Sequence, residues 1–155
     1  MLRKIQFMFD PSGSVLVEFA MVLPMLLALA CGIAEFGYQL YGYELIESGL
    51  RDGARYLSHL NYPVGAINVT AAQQLAVYGQ IGGTTKRVDW WNTSDVTVTF
   101  NAVANSTGTY RGASTIYVAH VGTSVTYTGL GLLSYLGLPS SMTLTFYHEE
   151  RLTGT

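Results

Sequence analysis

Gly13-Ser14-Val15-Leu16-Val17-Glu18-Phe19 opens an apolar run that continues to Ile33, and Glu18 is its one carboxylate. From Val15 the run reads VLVEFAMVLPMLLALACGI, about 19 residues, or roughly 28 Å of helix at a rise of about 1.5 Å per residue. That length fits the hydrocarbon core of a bilayer, so the segment predicts a membrane-spanning helix. Glu18 is the only ionisable side chain between Asp10 and Cys31. A charge at the bilayer centre costs about 2.5–3.5 kcal/mol on insertion scales. A purely structural anchor has no use for that cost, and the pattern predicts a specific partner for Glu18.

The flanks set the orientation. Arg3 and Lys4 precede the run, and Glu35, Glu44 and Glu47 follow it. The positive-inside rule keeps the N-terminus cytoplasmic and exports the rest. Pro24 removes one backbone hydrogen bond and predicts a kink near Met21–Leu23. Three processing schemes compete. A secretory signal would be cut after Ala28-Leu29-Ala30, but a glutamate in its apolar core argues against it. An uncleaved anchor explains the length and not Glu18. A prepilin-type signal, cut on the cytoplasmic side before the apolar run, accounts for Gly13, Glu18, Phe19 and the short basic leader together. Cys31 reads as a small apolar helix residue; a lipoprotein site fits poorly, because Ala28 stands where such a site has leucine.

The composition supports an anchor with one exported domain. Charged residues make up 12% of the 155 residues, against a usual share near 25%. The net charge of −2 supplies no basic footprint for nucleic acid. A single cysteine excludes a disulfide framework. His59, His120 and His148 are scattered, with no His-x-x-x-His, so neither a metal site nor a cofactor is predicted. No catalytic constellation stands out, and the chain is not read as an enzyme. Glu149 and Glu150 read as a solvated strand end. Trp90 and Trp91, read as strand neighbours, would face opposite ways, one in the core and one exposed as a candidate partner contact.

The constellation Gly13 through Phe19 resembles the processing site of Tad (Flp, tight-adherence) pilus proteins. The chain length and the stretch Gly53-Ala54-Arg55-Tyr56-Leu57 resemble the TadE-like minor pilins, or pseudopilins, with the neighbouring TadF type second. The resemblance implies cleavage by a prepilin peptidase between Gly13 and Ser14, which leaves Ser14 as the mature N-terminus. It implies that Glu18 and Phe19 serve recognition and register, with the Glu18 carboxylate pairing with the Ser14 amine of an adjacent subunit. Implied partners are the prepilin peptidase, other Tad pilins, the inner-membrane assembly platform and membrane lipid. The implied location is the bacterial inner membrane, single-pass, with the C-terminal domain periplasmic and incorporation into an extracellular pilus left open. The competing class is a membrane-anchored periplasmic binding module that does not polymerise.

Past Ile33 the helical pattern continues to Ser58. Phe36, Leu40, Tyr43, Ile46, Leu50, Ala54 and Leu57 recur at spacings of three and four and form one stripe. Gly37, Gly42, Gly49 and Gly53 predict close packing, against a sheet or against helices of an assembly. Residues 59–65 read as a loop, and Thr70 as the cap of a second helix ending at Tyr78 before Gly79. Alternation at Val96, Val98 and Phe100 and at Met142, Leu144 and Phe146, with a β-rich run from Ile116 to Val121 continued by Val125 and Tyr127, predicts three antiparallel strands. The apolar stretch from Gly129 to Pro139 is too short to span a bilayer; it reads as a core plug or short helix, with a membrane- or subunit-contacting patch as the alternative. The expected fold is α+β: a long N-terminal transmembrane, pilin-like helix packed on a small antiparallel sheet of about three strands. The expected division is a leader at 1–13, the extended helix at 14–58 and an exported α+β domain at 59–155.

Overall fold

The computed structural model describes residues 11–110, 113–137, 139 and 141–154. Arg3, Lys4 and Asp10 of the expected leader, and Leu138, lie outside the described residues. The elements in order are α1 (Pro11–Ser58), α2 (Ala66–Tyr78), a 3-10 turn (Thr93–Asp95), β1 (Val96–Ala104), β2 (Thr115–Tyr127), a second 3-10 turn (Leu132–Leu136) and β3 (Met142–Arg151). The fold is α+β, as the periodicities predict. The chain forms two compact units. One holds the chain up to Tyr38 with Gly129–Ser140; the other holds Gln39–Thr128 with Ser141–Thr155.

The sheet belongs to the second unit. It is antiparallel with order β1-β2-β3. The register pairs Val96 with Thr123 and Thr123 with Phe146, and likewise Val98 with Val121 and Val121 with His148. Residues directly opposite share a face, so these rows build one side of the sheet. On that side Val96, Val121, Thr123, Val125, Leu144 and Phe146 are buried.

The C-terminal part of α1 contributes Ile46, Leu50, Ala54 and Leu57 to the core, at successive helical turns. The buried stripe is shorter than expected, because Phe36, Leu40 and Tyr43 are exposed. Phe36 falls in the first unit. Tyr43 meets the edge of Phe146 at 4.3 Å between ring centroids, at the margin of the sheet, and leaves its ring part-open.

Gly49 and Gly53 explain how α1 meets α2. A Cβ at Gly53 would stand 2.9 Å from the Ala72 carbonyl oxygen; one at Gly49 would press on the Ala76 carbonyl and stand 2.9 Å from the Trp91 ring. The close approach these glycines predict is therefore to α2 of the same chain, neither to the sheet nor to another copy. Gly42 faces the Trp90 ring instead. Around Gly32 and Gly37 the space is open.

α2 starts earlier than the sequence suggests. Gly65, extended, is its N-cap, and the Thr70 hydroxyl donates back to the Ala66 carbonyl at 3.1 Å, which places Thr70 one turn inside. The expected end holds: Gly79 adopts φ 73°, and its N–H reaches the Leu75 carbonyl at 2.9 Å.

Candidate functional site

Gly13, Ser14, Glu18 and Phe19 all lie on α1 and all are exposed. The helix is continuous through Pro24. Residues four apart on a helix share a face, so Ser14 and Glu18 stand one turn from each other along one side. Around them Val15, Leu16, Met21, Val22, Met25 and Leu26 are exposed as well. The helix from Gly13 to Ser58 is long and apolar enough to cross a membrane, and none of its most apolar window is buried. Among the described residues nothing covers this surface, which leaves it available to lipid or to other helices. Glu18 is the carboxylate on it.

A second carboxylate behaves differently. Glu35, two residues past the apolar run, is 3% exposed. One of its oxygens accepts the N–H of Leu130 at 2.9 Å, and the other accepts the N–H of Leu132 at 3.1 Å. Hydrogen bonds from backbone N–H to an ionised carboxylate are among the stronger ones. Gly129 and Gly131, with φ of 48° and 75°, turn the backbone so that these amides converge. In the sequence Glu35 reads only as part of an acidic flank. The signal that could have exposed it is the alternation Gly129-Leu130-Gly131-Leu132, a backbone able to present neighbouring N–H groups to one anion.

Trp90 and Trp91 lie in a turn before the Thr93–Asp95 helix and not on a strand, so the alternation argument does not apply to them. Trp91 is a core residue at 0% exposure. Trp90 is half-buried, edge-on to Tyr127 at 5.4 Å. Two of the three histidines pair with the acidic end of β3: His120 Nδ1 lies 2.9 Å from Glu149, and His148 Nε2 lies 3.4 Å from Glu150. Among the described residues no group of three or more His, Cys, Asp or Glu side chains is placed to hold a metal ion.

A family described as TadE-like protein matches residues 13–55. Over these residues the chain is similar to TadE-like proteins. The match starts at Gly13, the residue before the expected cut, and ends within α1, three residues short of its last. It leaves α2 and the sheet uncovered. The TadE-like segment agrees with a pilin of the Tad system, the first of the two neighbouring types the sequence resembles. No curated protein matches the chain. No solved structure matches it either.

Proposed function

We propose that this chain is a minor pilin, or pseudopilin, that helps initiate or assemble a Tad-type pilus used for adhesion. The observation that carries the reading is Glu18: an exposed carboxylate on an uncovered apolar helix, one turn from Ser14, in a TadE-like segment that begins at Gly13. A prepilin peptidase cuts between Gly13 and Ser14, and the leader with Arg3 and Lys4 stays in the cytoplasm. The mature chain crosses the inner membrane once, with the sheet domain on the periplasmic side.

The cut creates an amine at Ser14. A lone carboxylate in lipid is costly, and a cation held by a neighbouring helix relieves that cost only where the two helices are in register. The Glu18 carboxylate therefore pairs with the Ser14 amine of an adjacent pilin and sets the axial offset between subunits. Phe19 packs beside that pair, and Pro24 gives the helix a place to bend. The other Tad pilins and the inner-membrane platform supply the neighbours.

Filament incorporation tests this. The Glu18→Ala chain is expected to be processed and inserted like wild type, yet to be missing from sheared pili. Wild-type levels of E18A in sheared pili overturn the register role.

A further inference from the structure

The loop from Gly129 to Gly137 has no part in the pairing described above. Its sequence, Gly-Leu-Gly-Leu-Leu-Ser-Tyr-Leu-Gly, carries no charge. Leu130 is 50% exposed and Tyr135 is 89% exposed. The loop belongs to the same compact unit as α1 up to Tyr38, and Glu35 fastens it there through the amides of Leu130 and Leu132. Glu35 follows the last residue of the apolar run, Ile33, by two positions, or about 3 Å along the helix. On the membrane-anchor reading of α1, the attachment point is the level at which the helix leaves the hydrocarbon.

We propose that the Gly129–Gly137 loop is a lipid-contacting foot, seated in the headgroup region of the bilayer that α1 crosses, on the exported side. The proposal rests on the membrane-anchor reading of α1. Tyrosine is favoured at this depth, because its ring prefers the acyl boundary and its hydroxyl prefers water. Backbone groups entering the interface need partners, and the loop supplies several of its own. Ser134 N–H donates to the Gly131 carbonyl at 3.2 Å, Gly137 N–H donates to the Ser134 carbonyl at 3.1 Å, and the Ser134 hydroxyl donates to Gly131 at 2.6 Å. The loop shares one compact unit with the exposed apolar part of α1. It presents leucine and tyrosine and no charged group, the composition of a segment at a membrane interface.

The test uses the full chain with Cys31→Ala, so that a cysteine introduced by Tyr135→Cys is the sole labelling site. A fluorophore there is read in vesicles of phosphatidylethanolamine and phosphatidylglycerol, with alkaline carbonate extraction run in parallel to establish that α1 is integrated. The expected result is a blue-shifted emission, quenched by headgroup-level nitroxide lipid and protected from aqueous iodide. Glu35→Ala is expected to lower the nitroxide quenching while integration persists. An integrated chain whose probe is quenched by iodide and not by nitroxide overturns the foot and leaves the anchor standing. Extraction of the chain by carbonate overturns both. A probe open to iodide in vesicles, but shielded in cells that express the other pilus proteins, assigns the loop to a protein neighbour and overturns the lipid assignment.

Discussion

The Trp91 indole donates its Nε1–H to the Thr123 hydroxyl at 3.1 Å, and that hydroxyl donates in turn to the Asp95 carbonyl at 2.8 Å. Trp91 is fully buried and Thr123 nearly so. The chain of bonds ties the segment before β1 to the central strand, and it satisfies the one polar group of the largest side chain in the core. Replacing Thr123 by valine keeps the shape and strands the indole N–H. The expected loss is about 1–3 kcal/mol. Trp91→Ala empties the site, with an expected loss of about 3–5 kcal/mol. Urea unfolding of the detergent-solubilised chain, followed by tryptophan fluorescence for T123V and by circular dichroism for W91A, measures both.

The glycines of α1 separate into two classes by their surroundings. Gly49 faces the Ala76 carbonyl and the Trp91 ring, and Gly37 faces open space. Gly49→Ala is expected to force α1 off α2 and lower the melting temperature. Gly37→Ala removes about 1 kcal/mol of unfavourable helix propensity, so it should leave the melting temperature unchanged or raise it. Thermal melts in the same detergent distinguish the two; equal effects would contradict the packing described.

Arg87 Nη2 lies 2.5 Å from Asp52 Oδ2 and ties α1 to the segment that follows α2. The guanidinium is largely buried and the carboxylate is part-exposed. Asp52→Asn is expected to cost roughly 1 kcal/mol or less, because the exposed side of the pair is screened by solvent. The difference from wild type should shrink as salt is raised in the unfolding assay.

Much of the fold follows from periodicity. Val96 and Val98 on β1 and Leu144 and Phe146 on β3 are alternating positions that the strands advertise, and Ile46 to Leu57 is a helical stripe. Other features depend on tertiary partners and leave no local mark. Phe36 and Leu40 share the stripe's spacing, yet they remain exposed. Thr70 has the chemistry of a cap and spends its hydroxyl inside a helix that begins at Ala66, after the N-cap Gly65. The Gly13–Phe19 constellation is legible because it is contiguous. Glu35 was not, because its donors lie 95 and 97 residues away.

Glu35 also makes a local prediction. Without its carboxylate, the amides of Leu130 and Leu132 lose their acceptor and the loop is held less firmly. Glu35→Ala is expected to speed chymotrypsin cleavage at Tyr135 in the detergent-solubilised chain, with the sheet domain intact by circular dichroism. An unchanged cleavage rate would contradict the pinning role.

Register through Glu18 requires a free amine at Ser14, so the central claim reduces to where the mature chain begins. Mass spectrometry of the protein recovered from membranes reads that directly. The expected N-terminus is Ser14, reverting to the uncut chain when the prepilin peptidase is deleted. An intact Met1 in the presence of the peptidase, or a start at Cys31 or beyond, would contradict it.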